Sequence, residues 1–174
     1  FKTEPSGSVD ATLLSDDMAP FVDALAQRFP DFPFLVAMKE RSSRFPGLFE
    51  DTQMSVLANT LHGKSGTNEF SLSAAGKSGG MNITLSGTST MNEEQLRTLE
   101  LTMNARTDHA EGLMAFIGLP ALPLGLAGEL EADIALKGNQ NAGFQTQLAL
   151  KAPDGRALLD GSFRYADGSL NGEG

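Results

Sequence analysis

From residue 98 to residue 105 the chain alternates without a break. Leu99, Leu101, Met103 and Ala105 hold one phase, and Thr98, Glu100, Thr102 and Asn104 hold the other. A helix repeats its faces every 3.6 residues and cannot use this pattern, whereas a strand sends successive side chains to opposite sides. The same rhythm returns twice. Leu130, Ala132, Ile134 and Leu136 oppose Glu129, Glu131, Asp133 and Lys137, and Phe144, Thr146, Leu148 and Leu150 oppose Gln145, Gln147 and Lys151. Shorter runs at 34–40, 54–60, 70–74, 81–85 and 157–165 extend the pattern to about eight strands. Several are separated by the turn-forming stretches GKSGTN, GKSGG, GNQNAG and APDG. Such a chain must build a sheet with one polar face and one apolar face.

Two segments depart from this rhythm. In SDDMAPFVDALAQRFP, apolar residues at 18, 21, 22, 25, 26 and 29 form a helical stripe. Ser15 or Asp16 caps it, Pro30 stops it, and Pro33 keeps its exit extended. In TDHAEGLMAFIGLP the stripe is Leu113, Met114, Phe116 and Ile117. A capping-box-like Asp108/Glu111 pair starts it, and Gly118 ends it before Pro120 and Pro123. The predicted helices run over 16–29 and 109–118, after an irregular entry at 1–14. Each leads into the same phrase, FPDFPF at 29–34 and LPALPL at 119–124. A second echo follows, FSLSAAGKSGGMNITLSG at 70–87 and FQTQLALKAPDGRALLDG at 144–161, each reading strand, turn, strand and closing on Gly. The expected fold is mainly β with two short helices. It is a curved antiparallel sheet, a groove or half-barrel, built from two helix-plus-strands repeats at 15–107 and 108–174 within one continuous domain.

Composition narrows the function. A net charge of −9 argues against a nucleic-acid surface, which needs clustered Lys and Arg. The chain has no Cys, so disulfides and thiolate-bound zinc are excluded. GKS occurs at 63–65 and 76–78, but Ala58 and Ser71 stand where a phosphate-cradling loop needs Gly, and strands follow both. These read as hairpin turns. Glu129, Glu131 and Asp133 share one strand face, which lacks the sharp Gly turn of a calcium loop and reads as a solvated face. His62 and His109 have no adjacent ligand pair, and no GxSxG stretch is present. Neither an enzyme nor a cofactor is expected.

The apolar face carries the functional information. Eight strands at about 4.8 Å spacing and roughly 23 Å length present a face of about 900 Å². A three-turn helix covers about 200 Å², so two helices leave more than half of it bare. Patches of that size mark binding surfaces. The face therefore closes on itself as the dry core of a structural module, or holds an apolar ligand, or meets further repeats of a longer chain. The candidate lining is Leu99, Leu101, Met103, Leu130, Ile134, Leu136, Phe144, Leu148 and Leu150.

The helix ending in GLPALPLG, followed by LAGELEADIALKG, FQTQLALKAPDGRALLDGSF and SLNGEG, resembles the repeating segments of the AsmA/TamB family of bacterial envelope proteins. The stretch ERSSRFPGLFED departs from that pattern. The resemblance implies a piece of a longer protein, anchored in the inner membrane by an N-terminal helix and lying mostly in the periplasm. It implies β-sheets curled into an apolar groove that carries phospholipid towards the outer membrane, or supports outer-membrane assembly. The expected partners are phospholipid or another acyl-chain ligand and further repeats of the same chain. No catalytic residue is implied.

Overall fold

The structure, a computed structural model, describes residues 6–28, 30, 33–62, 66–92, 95–118, 129–139, 141–166 and 169–173. The elements run β1 (Gly7–Asp17), α1 (Ala19–Arg28), α2 (Pro33–Arg44), β2 (Glu50–His62), β3 (Thr67–Ser78), β4 (Met81–Asn92) and β5 (Gln95–Thr107). They continue with α3 (Ala110–Ile117), β6 (Leu130–Asn139), β7 (Gly143–Lys151), β8 (Ala157–Ala166) and β9 (Ser169–Glu173). All nine strands form one open antiparallel sheet in sequence order, β1 to β9. Every strand pairs with the next one along the chain, so the sheet is a meander with two helical interruptions. No helix among the described residues is long and apolar enough to cross a membrane.

Three expectations change. Of the expected irregular entry at 1–14, residues 7–14 form a strand instead, because β1 begins at Gly7 and pairs with β2, while residues 1–5 lie outside the described residues. Its alternation is blurred by Leu14 on the polar side. The segment 34–40 is not a strand but part of α2. Pro33 is the first helical residue there, a position whose N–H has no intrahelical partner, and Ala, Met, Lys, Glu and Arg favour the helix that follows. The first Pro phrase thus opens a helix rather than keeping an exit extended. The second phrase, at 119–124, lies outside the described residues.

The caps differ in detail as well. Ser15 and Asp16 lie in β1, and Asp17 accepts a hydrogen bond from Ala19 N at 2.8 Å to start α1. Before α3 no side chain caps the helix at His109; Thr107 Oγ1 instead accepts from His109 N at 2.9 Å. Gly118 does end α3, in the left-handed region at φ 81°. A Cβ here would also push aside the Arg41 guanidinium, the movable end of a long side chain. Arg41 donates to Phe116 O, tying α2 to the last turn of α3. Burial lowers the Arg41 pKa.

The core sits at one end of the sheet. Leu113, Met114 and Ala115 of α3 pack with Leu48 onto Met81, Ile83, Ala105, Leu130, Ala132 and Leu150. The β3–β4 hairpin reaches into this end through the turn at Gly79 and Gly80, both at positive φ as a two-residue hairpin loop demands. Thr52 donates to Phe49 O, and its hydroxyl also meets Ser78 Oγ at 2.8 Å, so the polar atoms buried there are bonded.

Leu113 is fully buried and Leu72 is 38% exposed, so truncating them separates the covered end of the sheet from the bare one. Leu113→Ala is expected to destabilise by about 2–5 kcal/mol. Leu72→Ala should cost less than about 1 kcal/mol. Equilibrium urea unfolding of both variants measures the difference.

Candidate apolar binding face

The strand registers convert alternation along the chain into rows across the sheet. Leu13, Met54, Gly76, Ile83, Ala105, Ala132, Leu150 and Leu159 lie side by side on one face. The next row is Ala11, Val56, Ala74, Leu85, Met103, Ile134, Leu148 and Gly161. A third runs Val9, Ala58, Leu72, Gly87, Leu101, Leu136, Thr146, Phe163 and Gly172. A fourth runs Gly7, Thr60, Phe70, Ser89, Leu99, Gly138 and Phe144. None of these rows contains a charged residue. The strands have 9–13 residues except for β9, which has five; β2 alone spans roughly 44 Å. The face is therefore longer than the sequence estimate.

All nine candidate lining residues share this face, but they divide by cover. Leu130 and Leu150 belong to the core beneath α3, and Leu148 is also buried, so these three pack inside the chain. Met103 and Ile134 stand at the border and are half-buried, Met103 packing against the core. Leu99, Leu101, Leu136 and Phe144 lie in the two outer rows, where no described residue is buried. There a shallow trough of 410 Å³ is lined on this face by Ala58, Phe70, Leu72, Gly87, Met91, Leu99 and Leu101. The candidate set missed Phe70, Leu72 and Met91, although their strands carry the same two-residue period. It missed Val9 and Leu13 because β1 was taken as irregular.

The opposite face carries mainly hydroxyl, amide and charged groups, with Leu14, Leu57 and Leu61 exposed among them near the β1 edge. Arg106 bonds Glu131 at 2.9 Å, Lys151 bonds Asp133 at 2.6 Å, and Lys137 bonds Glu100 at 2.6 Å, all across neighbouring strands. Asn104 Nδ2 donates to both Glu131 and Asp133, at 2.6 and 2.7 Å. The hydrogen bond from Asn104, then that from Arg106, holds the Glu131 carboxyl below its usual range. Lys151, then Asn104, does the same for Asp133. The Asp133 bond in turn raises the Lys151 ammonium. Two of the three carboxylates considered for calcium are thus engaged by cations and an amide. No group of three or more metal-ligating side chains converges among the described residues.

A larger hollow, 610 Å³, is lined by Ser86, Thr102, Asn104, Asp133, Gln147, Asp160 and Ser162 of this face, with Leu85, Met103, Ile134 and Leu148 of the row between them. Its walls bond one another, as in Ser86 with Thr102 at 2.8 Å, and none of its lining residues is aromatic. We assign it to the solvated side of the sheet despite its size. The second GKS ends β3 in the hairpin described above, and the first lies outside the described residues. His62 ends β2, while His109 stands exposed beside Asp108 at 3.5 Å. No protein-family model, no curated protein and no solved structure matches the chain.

The lowered carboxyls set a pH dependence. Stability from Glu131 and Asp133 is present above the ordinary carboxylate range and lost as pH falls through their depressed values. The raised Lys151 contributes below its ordinary range and is lost only in strong alkali. Both carboxylates are partly exposed, so the effect is modest. The melting-temperature gap between the native chain and a Glu131→Gln/Asp133→Asn variant should be widest near neutrality and close below about pH 3. Thermal melts from pH 7 to pH 2.5 measure it.

Proposed function

We propose that the apolar face binds acyl chains, and that the chain is a groove segment of the AsmA-like kind, conducting phospholipid in the periplasm between the inner and outer membranes. The observation that carries this reading is the pair of outer rows. They cross the sheet without a charge, and no described residue in them is buried. An acyl chain lying there would gain about 0.8 kcal/mol for each methylene removed from water. The open strand order also supports it, since β1 and β9 do not pair to seal the face inside a barrel. In this reading the sheet curves around its ligand, and the helical segments at 19–44 and 110–117 each introduce four strands, as two repeats of one design would. An inner-membrane tether and further repeats belong to the same proposal.

The test is Leu101→Arg, which places a guanidinium in the trough, against Gln147→Arg on the polar face. Leu101 is half-buried, so the long arginine stem can carry its charge to water and the fold should survive. The native chain should bind a fluorescent fatty acid and release phospholipid on extraction, as read by mass spectrometry. Leu101→Arg should weaken probe binding by about tenfold or more, because the chain would lie against a hydrated charge. Gln147→Arg should bind as the native chain does. Absence of probe binding by the native chain, or equal loss in both variants, would overturn the proposal.

A further inference from the structure

The two edges of the sheet are unlike. β9 has five residues and includes Gly172. β1 has eleven, with Asp10, Asp16 and Asp17 as its charges but no Lys, Pro or register break, and its outer edge has no neighbour among the described strands. Sheet edges are ordinarily guarded by charges, above all Lys, by Pro or by bulges, because unpaired N–H and C=O groups template another strand; between Asp10 and Asp16 this edge has none of them. A second observation falls in the same place. The large apolar side chains left exposed among the described residues all belong to β1, α1, β2 or β3, and none to β4–β9. Val9 is 60% exposed on the apolar face, and Leu14 is 71% exposed on the other. An edge strand that bares apolar groups on both faces is suited to a partner strand, with main-chain bonds giving affinity and side chains giving register.

The partner that fits is β1 itself. Turned antiparallel about Thr12, the strand pairs over all eleven residues. Ala11 then meets Leu13, Asp10 meets Leu14, Val9 meets Ser15 and Ser8 meets Asp16. Residues of equal parity meet, so the apolar face of one copy continues into that of the other. No carboxylate opposes another. Centring on Leu13 would set Asp10 against Asp16, and centring on Asp10 would set it against itself, both unfavourable. A register offset by half a pair would place apolar side chains beside polar ones. We infer that β1 joins β1 of a second copy across a twofold axis at Thr12, making one continuous eighteen-stranded sheet.

Sedimentation equilibrium of the 174-residue chain tests this, with two variants at exposed positions that leave folding intact. The native chain should reach a dimer, with concentration-dependent protection from hydrogen exchange of those 8–16 amides that point away from β2. Thr12→Lys sets two ammonium groups against each other at the axis and should raise the dimer Kd by about tenfold. Leu14→Lys sets an ammonium opposite Asp10 of the second copy and should lower the Kd. A native chain that stays monomeric would overturn the inference, including the case in which a strand of a different protein uses this edge. Equal weakening by both variants would show unspecific apolar association and overturn it too. So would a dimer indifferent to Thr12→Lys.

Discussion

Everything distinctive about this sheet depends on unbroken parity of strand pairing. A side chain's face is decided by whether its position is odd or even within the strand, so a slip of one residue would invert a whole strand. Eight successive pairings hold the phase, with shifts confined to Thr90/Met91 and Leu150/Lys151 near strand ends. Parity is secured from both sides. On one face a slip would expose leucines, and on the other it would bury Glu131, Asp133 and Lys151 without partners. The cross-strand ion pairs contribute little stability individually, but they name the register.

The helices use only part of what parity provides. α3 presents three buried residues to the end of the sheet near Met81 and Leu130, and Arg41 fixes α2 against it. That arrangement makes a compact core at one end and leaves the outer rows to the strands alone. One molecule therefore contains two kinds of apolar surface. The first is packed and sensitive to cavities, and the second is half-covered and tolerant of change.

β2 to β8, the phase of their apolar residues and α3 were legible in the sequence because each follows a single period. Gly118 was legible because a helix end needs a residue free to adopt positive φ. What failed was context. Val9 to Ser15 alternates, yet Leu14 on the wrong side hid it. The 34–40 segment is short and apolar, and periodicity alone cannot separate strand from helix in such a run. The division of the nine lining residues was out of reach, because Leu150 and Leu101 look alike until α3 is seen to cover only one of them. Arg41 meeting Phe116 O joins positions 75 residues apart and leaves no local trace.

The glycines of the outer rows explain why the bare face is shallow rather than deep. The Phe144 ring lies over Gly138 and the Phe163 ring over Gly172, so aromatics fill the gaps that missing side chains leave. Such a surface shields its backbone without rising into walls. In the proposed reading an acyl chain across it would be held by contact area rather than by any polar group. Since no charged side chain stands in the four rows, these rows would leave head-group chemistry unread. Recognition of a charged group would have to come from the strand ends or from the polar residues that flank the face.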